Sequence, residues 1–292
     1  MAAKIIYFGN EQLAQGIKPK TPIFDALVEA GYEICALILT NAHTRQPFAV
    51  AKRAEKLGIP IYYTKNNAEI NEIITKYQPE IGVLSAFGKI IKDETIAAFP
   101  RGILNIHPSL LPKYRGTTPI ESALLNNDAE TGVSVMRLAH DMDAGNILAQ
   151  ESVPITPETT KQSLYETLAT TGAKLLINVL PAALEGQADE KAQDESAATF
   201  TKPLDKSMSQ LLPQEKSAET LVCEIRAFAG FPKSKITLLD TPCTITEAHV
   251  AGTQNSDIDL LCQDGKYLVI DRLIPENSKP MDAKSFLNGH KK

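Results

Sequence analysis

A chain of 292 residues is longer than one ordinary domain and shorter than three, which points to two. With 43% apolar and 22% charged residues, wholesale disorder is excluded. The 30 basic against 35 acidic side chains, net −5, exclude a nucleic-acid coat that binds through bulk positive charge.

The chain opens on KIIYFGN, a short apolar run ending in Gly9 and Asn10 that reads as a strand, and the stretch after it can hold a helix from Phe24 to Gly31. EICALILT (33–40) and IPIYYT (59–64) read as strands, and between them Val50, Ala51, Ala54 and Leu57 recur at helical spacing. A helix over 67–77 and the strand EIGVLSAFG (80–88) follow. Strands alternating with helices predict a Rossmann-like α/β fold, a mostly parallel sheet with helices on both faces. Gly9 has no GxGxxG continuation, which disfavours a nicotinamide or flavin cofactor.

ILNIHPSLLPKYRG (103–116) reads as a strand running into a proline-bounded loop, followed by a helix from Pro119 to about Asn126. ETGVSVMRLAH (130–140) and AGNILAQESVPI (144–155) read as two strands joined by a turn that holds Asp141 and Asp143. Leucines at 164, 168, 175, 176, 180 and 184 suit one long helix packed on the sheet, with Pro181 expected to kink or end it. The polar stretch that follows reads as a linker, giving domains at 1–186 and 207–292 with the linker at 187–206. After a helix over 217–229, the segments KITLL, CTITEAHVA, IDLLCQ and KYLVIDRLI predict a small C-terminal OB-like β-barrel. Residues 1–200 carry 18 Lys and Arg against 23 Asp and Glu, whereas 201–292 carry 12 of each. The acidic excess therefore lies entirely in the first part. Cys35, Cys223, Cys243 and Cys262 form no CxxC pair, so buried free thiols are expected rather than a zinc ribbon or a dithiol. No run of about eighteen apolar residues occurs, and the expectation is a cytoplasmic chain with no membrane partner.

Asn105 and His107 stand two apart at the end of an apolar strand, which sends both side chains to one face. Pro108 then biases His107 to an extended backbone as the chain leaves the sheet at the edge where ligands of open α/β sheets sit. An amide donor beside an imidazole suits a developing oxyanion and a proton transfer, and a carboxylate that orients the imidazole would complete the set. Asp141 and Asp143 supply candidates. By spacing alone, a strand-end histidine is more often packed than catalytic, the two aspartates read equally as an ordinary turn, and no periodicity links Asp143 to His107.

The run NIHPSLLPKYRGTTPIESALLNNDAETGVSVMRL, followed by DMDAGNIL, closely resembles the signature region of formyltransferases that use 10-formyltetrahydrofolate. RAFAGFP (226–232) and the closing PENSKPMDAKSFLNGHKK resemble the methionyl-tRNA branch of that family. The resemblance implies Asn105, His107 and Asp143 as the catalytic trio. It implies a folate-binding loop at Ser109, Leu110, Leu111 and Pro112, with the backbone of Phe87, Gly88, Asp141 and Met142 lining the pterin pocket. It further implies 10-formyltetrahydrofolate as co-substrate and methionyl-initiator tRNA as acceptor; the sequence gives no hint of a metal, and a monomer is expected.

A sugar-nucleotide N-formyltransferase, an inactive folate- or RNA-binding homologue and a hydrolase that releases tetrahydrofolate are the rival readings. The closing segment favours the tRNA enzyme, and the presence of all three polar residues disfavours the inactive homologue. His140 reads as an exposed loop residue. Lys113 and Arg115 read equally as ligand contacts or as solvated charges. Family members carry a long basic insertion after the second strand, where this chain has only NAHTRQP (41–47) with Arg45 as its one basic side chain. Lys233, Lys235, Lys279 and Lys284 remain as candidate phosphate contacts, or as plain surface.

Overall fold

The computed structural model describes residues 3–40 and 48–289, which fold as two units. The first is built from residues up to Ala14, Lys18–Ile120 and Ala129–Lys202, and the second from Gln15–Ile17, Glu121–Asp128 and the chain from Pro203 onward.

In the first unit, the parallel strands are β1 (Lys4–Phe8), β2 (Glu33–Leu39), β3 (Ile61–Tyr63), β4 (Ile81–Leu84) and β5 (Ile103–His107), in the order β3-β2-β1-β4-β5. β6 (Glu130–Arg137) and β7 (Ile147–Pro154) extend the β5 edge antiparallel. β1, β2, β4 and β5 are buried along nearly their whole length, as a sheet covered on both faces requires. Alternate residues therefore serve opposite layers. Phe8 meets Phe87 and Phe99 edge-on at 5.3 and 6.0 Å on the face shared with Ile70, Ile73 and Ile74 of α3 (Asn67–Tyr77). Tyr7 points the other way and meets Phe24 of α1 (Pro22–Glu29) at 5.3 Å. Helix α2 (Ala49–Lys56) follows the predicted span, as does α5 (Pro119–Leu125), most of whose residues are counted with the second unit. The short α4 (Asp93–Ala97) has no apolar periodicity to announce it.

α6 (Lys161–Glu185) packs on α1 and on β5, β6 and β7. By length and composition it is the one described helix apolar enough to cross a membrane, yet half of its apolar window is buried inside the protein, as in a core helix. Pro181 neither ends nor replaces the last turn. The helix continues to Glu185 and stops at left-handed Gly186 (φ 76°), where the N–H groups of Gly186 and Gln187 bond the carbonyls of Ala183 and Ala182 at 3.3 and 2.8 Å. That glycine cap sets the end, and the proline removes a single N–H from a helix of 25 residues.

Residues 187–202, expected as a linker, belong to the first unit. Lys191 exchanges two backbone bonds with Ile147 at 2.8 and 2.9 Å, and Arg115 is bracketed by backbone bonds to Thr199 and Thr201, both 2.8 Å. The polarity of this strap serves hydrogen bonds to neighbouring loops.

The second unit opens with α7 (Ala218–Ala227), capped by the Ser217 hydroxyl, which accepts the Thr220 N–H at 3.1 Å. Strands β8 (Ser234–Leu238), β9 (Thr241–Ala251), β10 (Leu260–Leu261), β11 (Tyr267–Pro275) and β12 (Met281–Asp282) precede α8 (Ala283–Gly289). The sheet runs β10-β11-β9-β8 with β12 also on β11. β8 and β10 do not pair, so the expected barrel takes the form of a curled half-barrel, bent by register shifts around Arg272. Leu221 and Ile225 of α7 pack with Ile245, Leu268, Ile270, Leu273 and Phe286. All four cysteines are buried free thiols.

Candidate active site

Asn105 and His107 leave the same face of β5 at its carboxyl end, and they are only 6% and 4% exposed. The turn between β6 and β7 brings Asp143 to them. Asn105 Nδ2 donates to Asp143 Oδ1 at 3.4 Å, and His107 Nδ1 lies 3.6 Å from Asp143 Oδ2. Three residues that no spacing could connect thus form one cluster. His107 Nε2 is 2.9 Å from the Tyr114 carbonyl oxygen. A carbonyl only accepts, so Nε2 carries the proton and donates, and Nδ1 is the ring nitrogen turned toward the carboxylate.

Asp143 adopts a left-handed backbone (φ 51°), and its Oδ2 accepts the Gly116 N–H at 2.8 Å. The turn closes at Gly145, where any Cβ would collide with the Arg137 carbonyl. Ser134 stands opposite His107 in register and ties down the loop that leaves β5. Its hydroxyl donates to the Ser109 carbonyl at 2.6 Å and accepts the Leu111 N–H at 3.0 Å. Gln150 Nε2 donates to the Leu111 carbonyl and to Ser134 Oγ, both at 2.8 Å, and Ser109 Oγ donates to the Lys113 carbonyl at 2.6 Å. Leu110 seats against Gly132, where a Cβ would strike its side chain. The Leu111–Pro112 bond is cis.

Phe87 sends its ring into the core, while Gly88, left-handed at φ 73°, has open space where a Cβ would stand. Backbone groups are what this segment can present to a ligand. Asp141 and Met142 are exposed. Ile90, Phe200 and Met142, at 78, 66 and 56%, are the most exposed large apolar side chains among the described residues.

Arg115 is neither solvated nor free for a ligand. It is 2% exposed, bonded to Gln193 and paired with Glu195, whose hydrogen bond raises its pKa further above the ordinary value. Lys113 Nζ sits 4.7 Å from the Tyr114 ring centroid. His140 is exposed and turned to Asp93 at 2.8 Å, whose carboxylate raises the imidazole pKa. Ser134, Gln150 and Gln193 went unread in the sequence. Ser134 and Gln150 sit on strands whose apolar pattern gives no reason to single them out, and Gln193 sits in a segment that reads as solvated. Arg45 and the rest of 41–47 lie outside the described residues. Lys233, Lys235, Lys279 and Lys284 are exposed on the second unit. Among the described residues no three His, Cys, Asp or Glu side chains gather as metal ligands.

The "Formyl transferase" family model matches residues 36–180, and the "Formyl transferase, C-terminal domain" model matches residues 209–291. A curated methionyl-tRNA formyltransferase from Sulfurihydrogenibium sp. is 32% identical over 310 aligned positions, which cover 99% of this chain and 97% of that protein. Among solved structures, WlaRD, a sugar 3N-formyl transferase crystallised with dTDP and 5-N-formyl-THF, aligns with a TM-score of 0.69 at 18% identity, covering 96% of this chain and 99% of that one. HypX from Aquifex aeolicus in complex with tetrahydrofolic acid aligns with a TM-score of 0.68 at 14% identity, covering 98% of this chain and 47% of that one. At these identities the two structures share the fold.

Proposed function

The chain belongs to the methionyl-tRNA formyltransferases, and from that premise we infer that it moves the formyl group of 10-formyltetrahydrofolate to the α-amino group of methionine esterified to initiator tRNA, for translation initiation. The observation that carries the chemistry is the buried cluster in which Asn105 Nδ2 and His107 Nδ1 both face the Asp143 carboxylate. Its contacts are long, 3.4 and 3.6 Å, which suits groups that tighten on a substrate rather than on one another.

In this reading the amine attacks the formyl carbon, a C–N bond forms, and the bond from that carbon to the folate N10 breaks. Asn105 donates its amide hydrogen to the oxygen on which negative charge develops, and a protonated His107 Nδ1 adds a second donor. Asp143 takes the proton that the attacking amine must lose, and N10 leaves with a proton delivered from the same cluster. The Tyr114 carbonyl holds the imidazole so that Nδ1 stays on the reacting side. The fit to a folate rests on the backbone at Phe87 and Gly88, the exposed Met142 and the hydrogen-bonded loop from Ser109 to Pro112. The tRNA phosphates are met by a few localised basic side chains, with Lys233, Lys235, Lys279 and Lys284 as candidates. The same reading makes this a cytoplasmic enzyme that acts as a monomer.

The test is to incubate the purified protein and 10-formyltetrahydrofolate with methionyl-initiator tRNA, methionyl-elongator tRNA, a 4-amino sugar nucleotide, or water alone. Formyl on the initiator species is the expected outcome. Formyl found only on the sugar, or released only as formate, overturns the reading.

A further inference from the structure

Gln193 spans the interval between a buried cation and the Asp143 turn. Its Oε1 accepts from Arg115 Nε and Nη2 at 3.1 and 2.9 Å, and its Nε2 donates to the carbonyl oxygens of Asp143 and Gly145 at 2.7 and 2.8 Å. A guanidinium only donates and a carbonyl only accepts, so the amide can sit only one way round. Arg115 is itself fixed, because Nη1 and Nη2 donate to the two carboxylate oxygens of Glu195 at 2.9 and 2.7 Å. On either side the strap is tied by backbone bonds, Lys191 to Ile147 and Thr199 to Arg115.

The turn needs this support. Asp143 has φ 51°, a left-handed backbone that Asp enters more readily than most L residues but that still favours a turn fixed by its neighbours. Its carboxylate is fixed by the Gly116 N–H at 2.8 Å, and its peptide carbonyl is fixed by Gln193. Two anchors on one residue set both the position and the direction of the carboxylate relative to His107 Nδ1 and Asn105 Nδ2.

We propose that Gln193 is a positioning residue for formyl transfer: its amide pins the Asp143 turn, and the Arg115–Glu195 pair locks the amide the right way round. The proposal rests on the reaction inferred above. Its test turns on the isostere. Q193E keeps the shape and strengthens the bond to Arg115, but it sets an oxygen against two carbonyl oxygens. The expected result is a fall in kcat of about ten- to a hundredfold, the scale of a small misplacement at a reacting centre. KM for the folate should stay within about threefold and Tm within a few degrees. A residue that merely filled space would give the opposite ranking, with Q193A impaired and Q193E close to wild type. R115K cannot grip the amide with a planar fork and should show a smaller loss of the same kind. Hydrogen exchange across residues 141–147 should quicken in both Q193E and R115K. A Q193E enzyme with more than half the wild-type kcat and unchanged exchange across 141–147 overturns the proposal. If the wild-type protein transfers no formyl to methionyl-tRNA, the functional reading fails instead, and unchanged exchange across 141–147 in Q193E still decides against the proposal.

Discussion

Two segments frame the same site and are built from opposite materials. The loop after β5, from Pro108 to Gly116, is buried over much of its length, with Leu111 and Tyr114 in the core and Ser109 hydrogen-bonded beneath β6. The strap over 187–202 is mostly exposed and polar, and it holds its place through Gln193, Glu195, Thr199 and Lys191. The loop presents groups to the reacting centre, while the strap holds the turn that carries the third of them. A buried apolar segment is costly to displace because its surface would return to water. An exposed polar segment is held only by the geometry of its bonds, so single atoms matter there more than area does.

The largest effect is expected at the strand end. Asn105→Ala removes the one amide donor in the cluster, and the loss of such a donor is worth about 10²–10³ in kcat. Folate binding should be nearly unchanged, because the groups proposed to hold the folate lie on the loop after β5, at Phe87–Gly88 and around Met142. Steady-state kinetics with methionyl-initiator tRNA, together with a folate-binding titration, read both. A variant with wild-type kcat would mean that β5 only scaffolds the site and that the active groups lie elsewhere.

Burial also acts on a carboxyl group of the first unit. Glu11 is fully buried and accepts the N–H groups of Ile23 and Phe24 at 3.0 and 2.8 Å, capping α1, whose own N-cap residue Thr21 makes no side-chain cap bond. Burial pushes its pKa up from 4.5 to about 7, against the downward pull of those two bonds. Between these values the folded state keeps a proton that the unfolded state has released. The stabilisation is therefore fully present below about pH 4.5 and is lost as pH rises to about 7, amounting to about 3 kcal/mol. Glu11→Gln has no proton to lose. In urea unfolding at pH 5, 6, 7 and 8, wild type should lose stability relative to this variant as pH rises. A difference that does not change with pH would mean that the carboxyl is hydrated in solution.

The two segments also differed in how far their sequences could be read. β5 was legible because five successive residues are buried and must be apolar or internally bonded, and the period of two placed Asn105 and His107 together. Their meeting with Asp143 was not legible from period or composition, since it depends on the antiparallel return of β6 and β7; only the resemblance to a family pointed to it. The strap misled because Gln, Asp, Glu and Ser are the residues of both linkers and hydrogen-bonded loops. Composition records how polar a segment is, but whether Gln193 meets water or the Asp143 carbonyl is settled only in three dimensions. Pro181 did not end the helix: what it removes is one N–H bond to the turn before it, and the chain runs on for a further turn to Glu185 before Gly186 caps it.

The smallest effect should come from the outer end of the strap, at Glu195. Its side chain is 68% exposed, and the hydrogen bond from Arg115 holds its carboxyl below the usual range. Water reaches the Glu195 end although Arg115 is buried, and Asp143 and Asp141 also act on the Arg115 charge, so a neutral acceptor of the same shape supplies most of what the carboxylate does. Glu195→Gln keeps an oxygen for Arg115 and leaves both Arg115–Gln193 bonds intact. The expected outcome is a kcat within about threefold of wild type and a Tm within about 2 °C. That pattern, set beside a slow Q193E, would show that the strap works through the direction of one amide rather than through charge. An equal loss in the two variants would mean that the ion pair itself carries the strap, and the contrast between a loop held by burial and a strap held by the direction of an amide would fail.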